Sequence, residues 1–205
     1  MFKLSHMFTS ALLALTLLGS STLALAGPTY HVTLDTSAYS GSNGNIDFIL
    51  LAYPGATAAS ALVSNYTGML GATADSVGDV AGALPAALTL TNANGTNEFY
   101  QSVIFSNLIS FDVSFYGDFL TTAGADATTF SVALLNEAGD TFLGVNGGNQ
   151  IEFYLTPLTG DIASVTFSAL ETTAAAAEVP EPSALLLMLA GLGLVGVTLR
   201  HRAQG

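Results

Sequence analysis

Residues 99–115 read Phe-Tyr-Gln-Ser-Val-Ile-Phe-Ser-Asn-Leu-Ile-Ser-Phe-Asp-Val-Ser-Phe, and they decide the fold that we predict for this chain. Apolar residues recur at every second position of the second half, at Ile109, Phe111, Val113 and Phe115, with polar residues between them. Phe99, Gln101, Val103 and Phe105 share one side of the first half in the same way. A period of two is typical of a half-buried β-strand. Ser106 and Asn107 lie between the two segments and predict a two-residue hairpin connection.

The same alternation recurs on both sides of this pair. Further strands are predicted over residues 30–34, 46–52, 58–66, 88–91, 130–134, 141–145, 151–155 and 165–169. The segment 46–52 is apolar on both faces after Asp47, which predicts a central strand. Turns are predicted at the Asn-Gly pairs that begin at Asn43, Asn94 and Asn146, and a loop is predicted over the Gly- and Ala-rich residues 68–87. About ten short strands separated by Gly and Asn turns predict an all-β, antiparallel β-sandwich over residues 27–172, with a jelly-roll-like order.

Both ends of the chain carry apolar segments outside this fold. Lys3 precedes an apolar stretch over 11–18, and Ala24 and Ala26 are the small residues that a signal peptidase requires, so residues 1–26 are predicted to be a secretory signal peptide. An uncleaved anchor is the alternative. Residues 183–199 are seventeen residues without a charge. At a helical rise of about 1.5 Å per residue they cover most of a bilayer core about 30 Å thick, which predicts a transmembrane helix.

The residues around this span predict its surroundings and its orientation. Residues 173–182 have no strand period, so we interpret them as a linker between the sandwich and the membrane. Arg200 and Arg202 follow the span, and they place residues 200–205 in the cytoplasm because positive residues stay on that side. A buried core helix over 183–199 is the alternative, but it would carry a polar stripe that this segment lacks.

The C-terminal residues resemble a known sorting signal. Val-Pro-Glu-Pro at 179–182, then a short apolar segment with glycines, then an arginine cluster is similar to the PEP-CTERM signal of exported Gram-negative proteins. The resemblance implies that Pro180, Glu181 and Pro182 are recognised by an exosortase, a membrane protease-transpeptidase that cleaves nearby. It also implies an inner-membrane-anchored precursor and delivery to the cell surface or extracellular matrix. Residues 30–37 and 129–136 further resemble small PEP-CTERM proteins of unassigned function, a likeness that adds no activity.

The charge distribution excludes two classes of partner. All lysines and arginines of the chain are Lys3, Arg200 and Arg202, so residues 27–172 contain none, whereas thirteen of the fifteen acidic residues lie there. A uniformly acidic surface repels phosphate backbones and anionic headgroups, which excludes nucleic acid and acidic lipid as partners of the exported domain. The chain has no cysteine, so apolar burial and backbone hydrogen bonds must stabilise the domain.

Motifs that would indicate chemistry are few. Residues 191–196 have the letters of a dinucleotide-binding fingerprint, but they lie in the predicted span rather than in a soluble βαβ unit. His31 is the single histidine of residues 27–172, which excludes common zinc sites, and we expect it to be solvated or hydrogen-bonded. Oxygen ligands for a Ca²⁺ ion at one end of the sandwich are the remaining option, and the candidates are Asp112, Asp118, Asp126 and Asp140. Solvated surface acids are the alternative.

We therefore expect a non-enzymatic surface or extracellular-matrix protein, which meets signal peptidase and exosortase during export and needs no cofactor. The family resemblance implies association with exopolysaccharide or biofilm. A carbohydrate-binding module is the alternative, and its mark would be a planar row of exposed rings. The available rings are Tyr39, Tyr53, Tyr66, Tyr100, Tyr116 and Tyr154, and the absence of tryptophan counts against this alternative. A secreted glycosidase is a third hypothesis, which requires two carboxyl groups roughly 5 to 9.5 Å apart in a cleft.

Overall fold

The computed structural model describes residues 27–144, 146–159, 162–171 and 173–179. The predicted signal peptide with Ala24 and Ala26, the motif Pro180, Glu181 and Pro182, the predicted span 183–199, and Arg200 and Arg202 lie outside these residues. Within the ranges that the structure describes, no helix is long and apolar enough to cross a membrane.

The described chain folds into strands joined by short connections. The strands are β1 (Thr29–Asp35), β2 (Asn43–Ala52), β3 (Ser60–Thr67), β4 (Met69–Val77), β5 (Val80–Ala83), β6 (Ala87–Thr91), β7 (Thr96–Ile104), β8 (Leu108–Tyr116), β9 (Thr128–Asn136), β10 (Asn149–Thr159), β11 (Ile162–Ala169) and β12 (Ala174–Val179). They form two six-stranded sheets, sheet A in the order β12-β1-β8-β3-β6-β5 and sheet B in the order β11-β10-β9-β2-β7-β4. All the strand pairs are antiparallel, so the predicted all-β sandwich is confirmed.

The strand pairing follows a nested order. β1 pairs with β8, β2 pairs with β7, and β3 pairs with β6, and these pairs alternate between the two sheets. This nesting is the pattern of a jelly roll, in which eight strands fold over as two Greek keys. β9, β10 and β11 extend sheet B as a meander beside β2, and β12 extends sheet A beside β1. The jelly-roll-like order is therefore confirmed, with four added strands.

The predicted hairpin at Ser106 and Asn107 is wrong. These residues connect β7 in sheet B to β8 in sheet A, so the two strands belong to different sheets and do not pair. The turn predicted at Asn43 is wrong for the same reason, since Asn43 begins β2 and the preceding strand β1 belongs to the other sheet. Alternation indicates which side of a strand is buried, and strands on opposite sides of one core satisfy it equally well.

Two segments predicted to lack strands are strands at sheet edges. The loop predicted over 68–87 contains β4 and β5, and the linker predicted over 173–182 contains β12. Nearly all side chains of these three strands are exposed or half-buried, so no alternation marks them. Conversely, the return strand predicted over 141–145 amounts to an isolated bridge between Leu135 and Phe142.

The core lies between the sheets and is rich in aromatic rings. The Phe115 ring packs against those of Phe130 and Phe153, with centroids 5.7 and 5.2 Å apart, and Phe48 packs edge-on against Phe111 at 5.2 Å. Tilted and edge-on geometries are those that aromatic pairs prefer. All five rings are fully buried. Because β2 lies between β9 and β7 and is buried over most of its length, the prediction of a central strand over 46–52 is confirmed.

Candidate functional site

The first candidate region is the edge of sheet A, where the chain leads into the Pro-Glu-Pro motif. β12 pairs with β1 from Ala174 opposite Leu34 to Val179 opposite Thr29. Pro180 follows Val179 directly, and Thr29 lies three residues after Ala26, the predicted signal-peptide end. The described residues nearest to the two predicted processing positions therefore lie side by side, at the same end of adjacent strands.

The start of the described chain is packed tightly at this end. Gly27 is buried, and a Cβ atom there would overlap the backbone carbonyl oxygen of Phe115. The next residue, Pro28, accepts a hydrogen bond of 3.2 Å from the Phe115 amide. A residue without a side chain is thus required at position 27, immediately after the predicted cleavage position.

β12 itself is attached mainly through its backbone. Ala174 is buried, Ala176 is half-buried against the core, and the remaining four side chains are exposed. Thr173 extends the attachment, since its carbonyl oxygen accepts a 2.8 Å hydrogen bond from the Asp35 amide. Burial, and then the charge of Glu178, raise the pKa of Tyr30 on the paired strand. Alanine buries little apolar surface, so the backbone ladder holds this strand.

The second candidate region is an acidic cavity on the outer face of sheet B. It has a volume of about 200 Å³ and is lined by Asp75, Ser76 and Val77 of β4, Glu98 and Tyr100 of β7, and Ala138 and Gly139 of the connection after β9. The register explains this grouping, because Asp75 lies opposite Tyr100 and Tyr100 lies opposite Asp47 of β2. Side chains of directly opposed residues share one face of a sheet.

Asp47 lies next to this cavity and is the most perturbed acid of the described chain. Its side chain is only 6% exposed, and its Oδ1 atom has no hydrogen-bond partner. Burial first, and then the neighbouring Glu98 carboxyl, raise the pKa of Asp47 to about 7. The pKa of Tyr100 is raised by burial and by the charges of Asp47 and Glu98. Asp47 therefore holds its proton at pH values well above the usual range of an aspartate.

This carboxyl pair is not arranged as a glycosidase requires. Asp47 does not line the cavity, whereas Asp75 and Glu98 do. An acid and a base for glycoside hydrolysis must both contact a substrate that lies between them. The raised pKa of Asp47 therefore reflects its burial in the sheet rather than contact with this cavity.

The third candidate region is the polar outer face of sheet A. His31 Nδ1 lies 2.7 Å from Asp112 Oδ1, and the Asn65 side-chain amide donates a 2.7 Å hydrogen bond to Asp112 Oδ2. Burial acts in the opposite direction, but hydrogen bonds from Asn65 and His31 and the charge of His31 hold the pKa of Asp112 below its usual value. His31 is therefore hydrogen-bonded on an open face, as predicted, and Asn65 is the partner that sequence reasoning missed.

The structure separates the four aspartates proposed as calcium ligands. Asp112 lies on the outer face of sheet A, and Asp118 and Asp126 lie between β8 and β9. Asp140 lies beyond the opposite end of β9, where it accepts a hydrogen bond from the Asn136 side chain. Among the described residues, no group of three or more acidic or histidine side chains is placed to hold a metal ion. The four aspartates are therefore not gathered into one site, and calcium binding at one end of the sandwich stays a prediction.

The tyrosines proposed as a sugar-binding row are also dispersed. Tyr66 is buried, and the Tyr39 hydroxyl accepts a 3.0 Å hydrogen bond from the Gly144 amide. On the outer face of sheet B, Tyr100 belongs to β7 and Tyr154 to β10, with β2 and β9 between them. Tyr53 is the most exposed, at 69%, and it borders a cavity of about 400 Å³ that is also lined by Asn92 and Asn94.

These features define a class of protein: an acidic, jelly-roll-like β-sandwich whose last described strand runs directly into a Pro-Glu-Pro motif. Residues 178–203 match the model of the PEP-CTERM protein-sorting motif, so the chain carries a PEP-CTERM sorting signal. The motif implies processing by an exosortase, export and sorting to the cell surface. No curated protein and no solved structure matches the chain.

Proposed function

We propose that this chain is a non-catalytic surface protein, whose sandwich is displayed outside the cell and associates with exopolysaccharide or biofilm material. The observation that carries the proposal is the sorting motif at 178–203, which begins within the last described strand of the sandwich. A protein delivered in this way meets the polymers of the cell surface, and its own role is to add a stable folded unit to them.

The chemistry of the described residues supports a role without catalysis. The acid with the most perturbed pKa, Asp47, is enclosed beside Glu98 and does not line the acidic cavity. His31 lies on an open face, where its Nδ1 atom is already engaged by Asp112. A catalytic site needs a nucleophile or base that contacts a substrate in a cavity.

A carbohydrate-binding module is the second candidate, and Tyr53 is the observation that favours it. Its ring is largely exposed beside a cavity of about 400 Å³ to which Asn94 and Gly95 also contribute. Sugar rings stack on exposed aromatic faces, and neighbouring amide and backbone groups supply hydrogen bonds. One ring supports weak binding of a single sugar unit rather than of an extended chain.

Two experiments test these proposals. In cells with an active exosortase, we expect the mature protein to lack Arg200 and Arg202 and to leave the inner membrane. Intact protein that stays there would contradict the sorting proposal. A glycan array on the exported protein then separates the two roles. Binding that is lost in Tyr53→Ala and retained in Tyr154→Ala would support the carbohydrate-binding role, and silence across the array would contradict it.

A further inference from the structure

The sorting motif and the folded domain overlap at β12. The matched motif begins at Glu178, but β12 continues to Val179. Glu178 is opposite Tyr30 and Val179 is opposite Thr29, so the first two motif residues belong to the antiparallel ladder with β1. The residues that precede the Pro-Glu-Pro recognition element are therefore already hydrogen-bonded within the protein.

This overlap conflicts with the needs of a protease. A protease binds its substrate as an extended segment, and the substrate backbone must be free to hydrogen bond with the enzyme. Four residue steps separate Val179 from Ser183, where the apolar segment begins, which allows at most about 14 Å of extended chain. If β12 is released, the free chain from Thr173 to Ser183 spans ten steps, or about 35 Å.

The composition of β12 makes its release easy. Alanine is depleted in strands because it packs poorly on a pleated surface, and four of the six residues of β12 are alanines. Only Ala174 is buried, and no side chain of β12 donates or accepts a hydrogen bond with another described residue. β12 also lies at the edge of sheet A, so its departure disrupts one ladder and leaves the other strand pairs intact.

We propose that β12 must separate from β1 before the exosortase can process the chain, so that the pairing of this strand controls the sorting step. The proposal rests on the proposed sorting function and adds its regulation. It makes processing depend on the population of a locally opened state, in which the sandwich remains folded while its last strand is free.

A reversible covalent lock tests the proposal on the full chain. Thr33 of β1 lies opposite Ala175 of β12. Directly opposed residues in antiparallel strands have Cα atoms about 4.5 to 5.5 Å apart, a spacing that a disulfide can bridge. The chain has no native cysteine, so Thr33→Cys/Ala175→Cys introduces a single pair. Membrane vesicles that contain the exosortase supply the enzyme, and the readout is the mass of the product.

The matched control uses the same position on β1. Thr33 also lies opposite Ser110 of β8, so Thr33→Cys/Ser110→Cys locks β1 to its other neighbour and leaves β12 free. We expect the oxidised β1–β12 variant to retain its C-terminal segment and to be processed after reduction, while the oxidised β1–β8 control is processed in both states. If the oxidised β1–β12 variant were processed as fast as its reduced form, the proposal would be overturned, and equal inhibition of the control would overturn it too.

A graded series tests the same idea without a covalent bond. Ala177 is exposed and lies opposite His31 on the outer face, so its substitution leaves the core unchanged. Ala177→Val strengthens the strand and should slow processing about fivefold, whereas Ala177→Gly weakens it and should accelerate processing. The same rate for all three proteins would contradict strand release. An unprocessed parent chain would instead contradict the sorting function itself, which distinguishes the two failures.

Discussion

Replacing Asp47 with asparagine removes a carboxyl group whose ionisation the fold disfavours. The pKa of Asp47 is raised from 3.8 to about 7, first by burial and then by the neighbouring Glu98. A pKa difference of one between the folded and unfolded states corresponds to about 1.4 kcal/mol, so the change at Asp47 gives about 4 kcal/mol as an upper value. Partial access of solvent to this face screens the charges and reduces the expected effect to about 2 kcal/mol.

The direction of the effect follows from linkage. A folded-state pKa above the unfolded value means that the folded state binds the proton more tightly. The stability from protonated Asp47 is therefore fully present below about pH 4, is lost progressively up to about pH 7, and is absent above that. Groups facing Asp47 from β7 are Glu98 and Tyr100, and Asp75 of β4 lies one strand further, so no cation among them offsets the loss. The neutral amide of the Asp47→Asn variant carries no charge at any pH and avoids this loss.

Urea denaturation of the exported protein at pH 4 and pH 8, followed by far-ultraviolet circular dichroism, measures this difference. We expect Asp47→Asn to be about 2 kcal/mol more stable than the parent at pH 8, with a much smaller gain at pH 4. Asp75→Asn is the control, because Asp75 lines the same cavity but is exposed. A gain of equal size at both pH values, or a less stable Asp47→Asn at pH 8, would refute the reasoning.

Three further predictions concern packing and connections. Phe153→Ala should lower the free energy of unfolding by about 3 to 5 kcal/mol because it opens a cavity among buried rings, and a loss under about 1 kcal/mol in urea denaturation would contradict this. Asn92→Ala should lower the free energy of unfolding by about 1 to 3 kcal/mol, because the Asn92 side chain accepts a hydrogen bond from the Ala59 amide and donates to the Thr57 carbonyl and the Thr128 hydroxyl. The control Asn43→Ala loses one exposed hydrogen bond, and equal losses in the two variants would contradict this prediction. Gly117→Ala should lower the melting temperature, because the φ of 129° at this position disfavours a side chain and a Cβ atom would lie 2.5 Å from the Ala58 carbonyl oxygen. An unchanged melting temperature would exclude this strain.

Much of the buried face of the sandwich could be predicted from the sequence, because burial of one face of a strand produces a local alternation of apolar and polar residues. The alternation at Phe111, Val113 and Phe115 corresponds to fully buried side chains. The choice of pairing partner for each strand produces no such local pattern. β1 pairs with β8, which lies more than seventy residues later in the chain, and the choice depends on how the whole core is filled. Edge strands such as β12 produce no alternation either, because both of their faces are largely exposed.

The candidate sites also differ in whether their residues are contiguous or distant in the sequence. The sorting motif is a contiguous stretch that an enzyme reads as sequence, so Pro180, Glu181 and Pro182 could be identified from the order of residues alone. The environment of Asp47 could not, because its raised pKa comes first from burial in the folded sheet and then from Glu98, on a strand about fifty residues away in the chain. The partners of Asp112 on β1 and β3 are likewise remote in sequence.

The pairing of β1 with β12 also bears on the two predicted processing steps. Thr29 and Val179 are opposite each other, so the described residues nearest to the predicted signal peptide and to the Pro-Glu-Pro motif lie at one end of one strand pair. Residues 27–179 contain no lysine or arginine, and Arg200 and Arg202 are the only such residues beyond them. Cleavage near Pro180 would therefore separate the sandwich, which has acidic residues and His31 but no lysine or arginine, from both arginines of the chain. Anionic headgroups repel such a domain and attract arginines, so cleavage upstream of the predicted span 183–199 would also separate the sandwich from the residues that such headgroups attract.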